Sequence, residues 1–130
     1  MGTKDAGEKA VMQVLDEFLD ALNARDPKRL AAACNFPHVR FSTSGMKIWR
    51  TDEEFRRDGD LAGIPLEGEW HHTSWNTRKT LQTSSEKLHV AVTFTRHASN
   101  GAKISTFDSL YIVTKQDGRW GVQIRSSFAP

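Results

Sequence analysis

Residues 87–128 read KLHVAVTFTRHASNGAKISTFDSLYIVTKQDGRWGVQIRSSF, and the alternation in this stretch decides the fold. Apolar residues take every second position on both sides of two turn signals, Asn100-Gly101 and Asp117-Gly118. Strict alternation marks a strand with one buried face. The Xaa-Gly pairs mark tight hairpins, because a primed two-residue turn needs positive φ and these residues tolerate it. The turns also set the register. With Ser99 opposite Ala102 and Gln116 opposite Arg119, one face carries Leu88, Val90, Val92 and Phe94 beside Phe107, Ser109, Tyr111 and Val113. It continues with Trp120, Val122, Ile124, Ser126 and Phe128. This is the expected core face. The opposite face is half polar, with His89, Thr93, Asp108, Gln123 and Arg125 around a modest apolar patch of Ala91, Leu110 and Ile112. Such a patch on a wet sheet face marks a subunit contact more often than a ligand site, so a homodimer through the outer sheet face is expected.

Working outward, the residues after Trp70 alternate as a fourth strand, joined to the hairpins through a turn at Gln82 to Glu86. Upstream, Val11, Val14, Leu15, Phe18 and Leu22 recur at helical spacing with Gln13, Asp16, Glu17 and Asp20 on the other side. This predicts an amphipathic helix. Asp26-Pro27 supplies an N-cap and a first-turn proline for a short second helix that ends near Cys34. Phe36–Ser42 and Met46–Arg50 flank Ser44-Gly45 as a short hairpin. Thr51 with Glu54 three residues on is a capping box for a third short helix around Phe55, expected to fray through Gly59 to Gly68.

A chain of 130 residues is expected to form one domain, residues 1–130. Eighteen basic residues intermix with 16 acidic ones, and no block exceeds the doublets Lys28-Arg29 and Arg56-Arg57. That gives no concentrated basic face for nucleic acid. No run reaches the roughly 18 apolar residues that suggest a membrane span, and Met1 to Lys9 is polar, so no membrane association and a cytoplasmic setting are expected. The lone Cys34 has no partner for an internal disulfide and lacks zinc-site spacing, which favours a buried structural thiol.

Two helices, a hairpin, a third helix and a long antiparallel sheet closing on Trp120 resemble the nuclear transport factor 2-like superfamily over nearly the whole chain. Phe18 to Asp26, reading FLDALNARD, is similar to the end of that family's first helix, and Asp117-Gly118-Arg119-Trp120 to its last hairpin turn. The resemblance implies an α+β, cystatin-like fold: a cone-shaped curved antiparallel sheet wrapped around the N-terminal helices. The superfamily holds ketosteroid isomerases, polyketide cyclases, dehydratases, dioxygenase small subunits and non-catalytic adaptors, so the fold does not fix a function. Against the isomerases, Phe18 stands where the resemblance implies the oxyanion-stabilising tyrosine. His38-Val39-Arg40-Phe41-Ser42 offers no acid where it implies the base. Asp108 is the sole nearby counterpart of a second carboxyl, and register places it outside, diagonal to Arg125 as a cross-strand ion pair.

The expected core face has a polar inset: Ser109 opposite Ser126, with Tyr111 one step along. Buried hydroxyls bond to each other, to backbone or to water, or else fix the polar end of an apolar ligand. His38 opens the first strand and is the candidate general acid or base, against the reading that it is satisfied at a helix-to-strand corner. Arg40 either neutralises a ligand carboxylate or faces water, and Trp49, Trp70 and Trp75 are candidate lid or core residues rather than a cation cage. Adjacent His71 and His72 point to opposite faces, leaving His71 opposite His97 in one register; no metal and no cofactor is expected. The favoured reading is a pocket protein for a small, mainly apolar organic ligand that can carry an acid, through His38, Arg40, Trp49, Ser109, Tyr111 and Ser126. The alternatives are a non-covalent acid-base enzyme of isomerase, dehydratase or cyclase type, and a protein-interaction or dimerisation module with a filled cone.

Overall fold

Val11, Leu15, Phe18 and Leu22 form one fully or nearly fully buried stripe on a 21-residue helix, α1 (Thr3–Asn23), in a computed structural model that describes residues 3–64 and 69–130. The helix stops where Arg25 turns into the left-handed region at φ 53°. The Asp26 N–H then reaches back to the Ala21 carbonyl, and that of Arg25 to Leu22. Both bonds satisfy carbonyls that the helix end would otherwise leave unpaired. Asp26 caps the next helix as well, accepting from the Arg29 N–H at 3.1 Å at the start of α2 (Pro27–Ala32). Strands β1 (Cys34–Ser42) and β2 (Gly45–Trp49) follow. Thr51 then caps α3 (Asp52–Arg57), and β3 (His72–Thr83), β4 (Lys87–His97), β5 (Lys103–Gln116) and β6 (Arg119–Ser127) complete the chain.

The six strands form one curved, unclosed sheet in the order β2-β1-β6-β5-β4-β3, antiparallel except where β1 runs parallel to β6. Helix α1 packs against β3 and β6, and its buried stripe joins Leu88, Val90, Val92, Tyr111, Val113 and Val122 in a common core. Phe18 meets Tyr111 edge to face with ring centroids 5.9 Å apart. Burying a side chain of that size contributes about 2–3 kcal/mol relative to leaving it in water.

The β4–β5 register follows the turn reading: Phe94 faces Phe107, Val92 faces Ser109 and Val90 faces Tyr111. The turn itself is longer than two residues. Ala98 donates to the Ala102 carbonyl, and an irregularity between Arg96 and His97 restores the register.

The β5–β6 pair departs from expectation beyond the core centre. Gln116 faces Arg119 and Val113 faces Val122 as predicted, but a bulge follows and Ile112 then faces Ile124 instead of Gln123. One inserted residue reverses the faces of everything after it. Arg125 and Ser127 therefore turn inward, while Ser126 and Phe128 turn out; Phe128 is 74% exposed. The expected Asp108–Arg125 ion pair does not form, because Arg125 is on the buried side. At the other end of β6, Gly121 lies so close to β1 that an added Cβ would meet the Cys34 carbonyl carbon at 2.8 Å.

After α3 the chain folds back through a short Leu61–Ile64 bridge with Ala62 and Gly63 at positive φ. The last part of the expected fraying stretch, 65–68, lies outside the described residues. Among the described residues no helix is long and apolar enough to cross a membrane.

Candidate functional site

Inside the curve of the sheet is a small cavity. Its walls are Leu19 and Leu22 of α1, Ile64, Thr73 and Trp75 of β3, Phe94 and Arg96 of β4, Tyr111 of β5, Arg125 and Ser127 of β6, and Arg40 of β1. About 20 Å³ is open to the centre of a water molecule, on the order of one or two water positions. A second groove shares Ile64 and Arg96 with it and runs past Ser44, Glu69, Trp70, Ile104 and Pro130, so a bound group has space beside the cavity for a short tail.

Three arginines meet at this cavity, and all are buried: Arg40, Arg96 and Arg125 are 5%, 7% and 3% exposed. Their acceptors are main-chain oxygens and one imidazole nitrogen. Arg40 donates through Nη2 to a main-chain oxygen of Pro130, the last residue of the sequence, at 3.0 Å and through Nη1 to the Gly63 carbonyl at 3.4 Å. Arg96 sends Nη1 and Nη2 to the same Pro130 oxygen, both at 3.3 Å. Arg125 donates Nη2 to the Ala62 carbonyl at 2.8 Å and Nε to His38 Nε2 at 3.1 Å. None pairs with an Asp or Glu side chain among the described residues. Burial, followed by repulsion from Arg125 and Arg96, pulls Arg40 down to about 10. Burial also lowers Arg96 and Arg125 from the ordinary guanidinium value. All three stay charged at neutral pH, since guanidinium is the most persistent cation among side chains. Burial pushes the Tyr111 phenol up, so it is a neutral hydroxyl within a positive cavity.

Two residues of the lining leave buried donors without an acceptor, Trp75 Nε1 and Arg96 Nε. Most buried polar atoms in folded proteins are satisfied, so two orphaned donors on one cavity call for an acceptor that the chain does not supply. The faces of Phe18, 5.2 Å from the Arg125 carbon Cζ, and of Phe107, 5.3 Å from that of Arg96, offset part of the cost of desolvating these cations.

His38 does not stand at the mouth with a free ring. It is fully buried, with Nδ1 2.8 Å from the Val122 carbonyl and Nε2 accepting from Arg125. Burial first, and the Arg125 charge second, hold its pKa well below 6.5. Its expected role as general base is corrected on this geometry: both nitrogens are engaged and it is absent from the cavity wall. Trp49 is also displaced from the ligand side. It donates to Asp58 Oδ2 at 2.7 Å and packs on His38 and Phe55, while Trp75 occupies the cavity wall. Ser109 bonds to Ser127 at 2.6 Å, and Ser126 lies exposed on the outer face. Of the expected ligand residues, Arg40 and Tyr111 line the cavity.

The residues missed were legible to different degrees. Arg96 continues the Leu88, Val90, Val92, Phe94 parity, so the same alternation places it inside. Arg125 becomes internal through the bulge, which no local motif marks. Trp75, expected as a lid or core residue, faces Phe94 across a β3–β4 pairing that contains two irregularities, so its exact place on the cavity wall was not fixed by the long turn.

At the far sheet end His72, not His71, faces His97, with rings stacked at 4.6 Å and 7°. Among the described residues no group of three or more His, Cys, Asp or Glu is placed to hold a metal ion. Burial raises the Cys34 thiol to about 12, so it is not a thiolate at neutral pH.

A family model described as NTF2-like protein (DUF6841) matches residues 7–127. No curated protein matches. Among solved structures, a Nostoc punctiforme protein of unknown function with a cystatin-like fold aligns at TM-score 0.76 and 14% identity, over 95% of this chain and 90% of that one. The association domain of C. elegans CaMKII aligns at 0.71 and 17%, over 99% and 100%. A hexachlorocyclohexane dehydrochlorinase, LinA type 2, aligns at 0.65 and 17%, over 94% and 84%. At these identities the likeness is one of fold.

Proposed function

As this chain belongs to the NTF2-like protein family DUF6841, a family description that fixes the fold and leaves the chemistry open, we propose that its cone interior binds a small organic acid. The acid group sits among Arg40, Arg96 and Arg125, and a short apolar tail lies along Leu19, Leu22, Phe94 and the neighbouring groove. One observation carries this reading: three buried guanidinia surround one cavity, and no Asp or Glu side chain among the described residues pairs with them. Buried like charges repel strongly at low dielectric, and an entering anion relieves that repulsion while satisfying orphaned donors. The cavity wall holds no Asp, Glu or His side chain, which supports binding better than proton transfer. The small volume favours a carboxylate-sized head over a bulky ring system.

Thermal unfolding tests the reading. Ligand that binds the folded state at about 100 times its Kd stabilises it by ~2.7 kcal/mol. Short carboxylates such as butyrate should raise the Tm of the wild type and leave Arg96→Met unmoved. An equal shift in Arg96→Met, or none in the wild type, contradicts it.

The outer sheet face supports pairing with a second copy of the chain. Phe41, Met46 and Ile48 are each more than half exposed, Phe41 faces Met46 across β1–β2, and Ser126 lies beside Phe41, leading to the exposed Phe128. With Ile124, Leu110 and Ile112 on the next strands they extend the apolar patch across four strands. Exposed patches of this kind mark interaction surfaces, and one of the similar structures is itself an association domain. Ligand inside and partner outside use opposite faces of the sheet.

A further inference from the structure

We infer that His38 is a positioning residue for the anion site, holding Arg125 in place without neutralising it. This rests on the organic-acid reading above. The hydrogen bonds fix the tautomer. The Val122 carbonyl can only accept, so Nδ1 at 2.8 Å carries the proton; Arg125 Nε can only donate, so Nε2 at 3.1 Å offers its lone pair. A neutral imidazole is the one histidine form that satisfies both neighbours, since imidazolium would set two N–H groups against each other.

The consequence lies on the arginine. His38 engages Nε and the Ala62 carbonyl engages Nη2, while the Tyr111 hydroxyl stands within bonding reach of the same guanidinium, so a ligand meets the Nη1 side together with Tyr111. A buried guanidinium is more often held by a carboxylate, which would cancel the charge that attracts an anion. An imidazole acceptor orients the group and leaves its charge whole. Phe36, Trp49 and Phe55 pack around the ring with centroids 5.5–6.2 Å away, so its orientation is itself fixed by packing.

Three variants separate orientation from charge. His38→Gln keeps an acceptor near the Nε2 position, His38→Leu removes it, and His38→Glu keeps it but neutralises Arg125. Butyrate affinity should fall at least tenfold in His38→Leu and in His38→Glu, and stay within about threefold of wild type in His38→Gln. In ligand-free protein, the Arg125 Nε–H should give a slowly exchanging NMR signal in wild type and His38→Gln, absent in His38→Leu. The His38 ring nitrogens should show the Nδ1–H tautomer. Full butyrate affinity in His38→Leu, or in a folded His38→Glu, overturns the inference. So does an Arg125 signal that is indifferent to residue 38, a result obtained without ligand. A wild type that binds no carboxylate defeats the organic-acid reading itself, whatever the NMR signal shows about Arg125.

Discussion

Ser109 donates through Oγ to Ser127 Oγ at 2.6 Å across the β5–β6 ladder, and Ser127 in turn accepts from the Ala129 N–H at 3.1 Å. This pair exists because Gln123 is the extra residue of a bulge, its side chain held by Thr114 and by the Pro37 carbonyl. Removing the hydroxyl in Ser127→Ala should cost about 1–2 kcal/mol, because Ser109 is left buried without its partner. Ser126→Ala, on the exposed face, should stay within about 0.5 kcal/mol of wild type. Urea unfolding of both variants checks the register, and the opposite ranking would restore the unbulged one.

His38 gives a stability signature in mild acid. The folded protein holds its pKa well below 6.5, while the unfolded chain protonates near that ordinary value. Unfolded protein therefore binds a proton that folded protein refuses. The stability tied to His38 is fully present above pH 6.5 and is lost as pH falls below it, levelling off once the folded ring also protonates. The slope is at most about 1.4 kcal/mol per pH unit. His72, also lowered and on the surface, acts in the same direction. Unfolding free energies between pH 7.5 and 5 should decline less steeply in His38→Gln than in wild type; parallel declines would mean that His38 titrates normally.

Gly121 sets how closely β6 approaches β1. An alanine Cβ would meet Cys34 backbone at 2.8 Å and the Asn35 backbone nitrogen at 2.9 Å, and backbone does not swing aside. Gly121→Ala should lose about 1–3 kcal/mol, the usual range for overpacking. The loss should appear as a lower urea midpoint with little change in slope. An unchanged midpoint would show that the β1–β6 junction is looser than described.

Pairing through the outer face predicts a concentration-dependent mass. Sedimentation should give twice the chain mass for wild type and one chain mass for Phe41→Asp combined with Phe128→Asp, since both side chains are exposed in the isolated chain and their loss should not unfold it. A wild-type monomer at high concentration rejects the dimer.

Most of the architecture could be read from residues whose neighbours in sequence determine their conformation. Asp26-Pro27, Thr51 with Glu54, and Asp117-Gly118 act within a few residues, and each stands where expected. The inward alternation of β4 and of β5 up to Val113 followed from a period of two. The site was harder to read. Its position depends on one inserted residue in β6 and on pairings between segments far apart in the chain. That is why Ser126 was placed inside and Arg125 outside, and why His38 looked like a base when its partner was not visible. Tyr111 was legible because it stands on the inward parity of β5, whereas Arg40 stood as a candidate with no parity to place it.

The central claim is that the cavity selects negative charge, and matched neutral and charged ligands test it most directly. Calorimetric titration of the wild type with butyrate and with butyramide, in low-chloride buffer at neutral pH, compares nearly equal shapes that differ in charge. Saturable one-to-one binding of butyrate with no detectable heat from butyramide is the expected result. Equal binding of the two, or of neither, would contradict a site built from Arg40, Arg96 and Arg125.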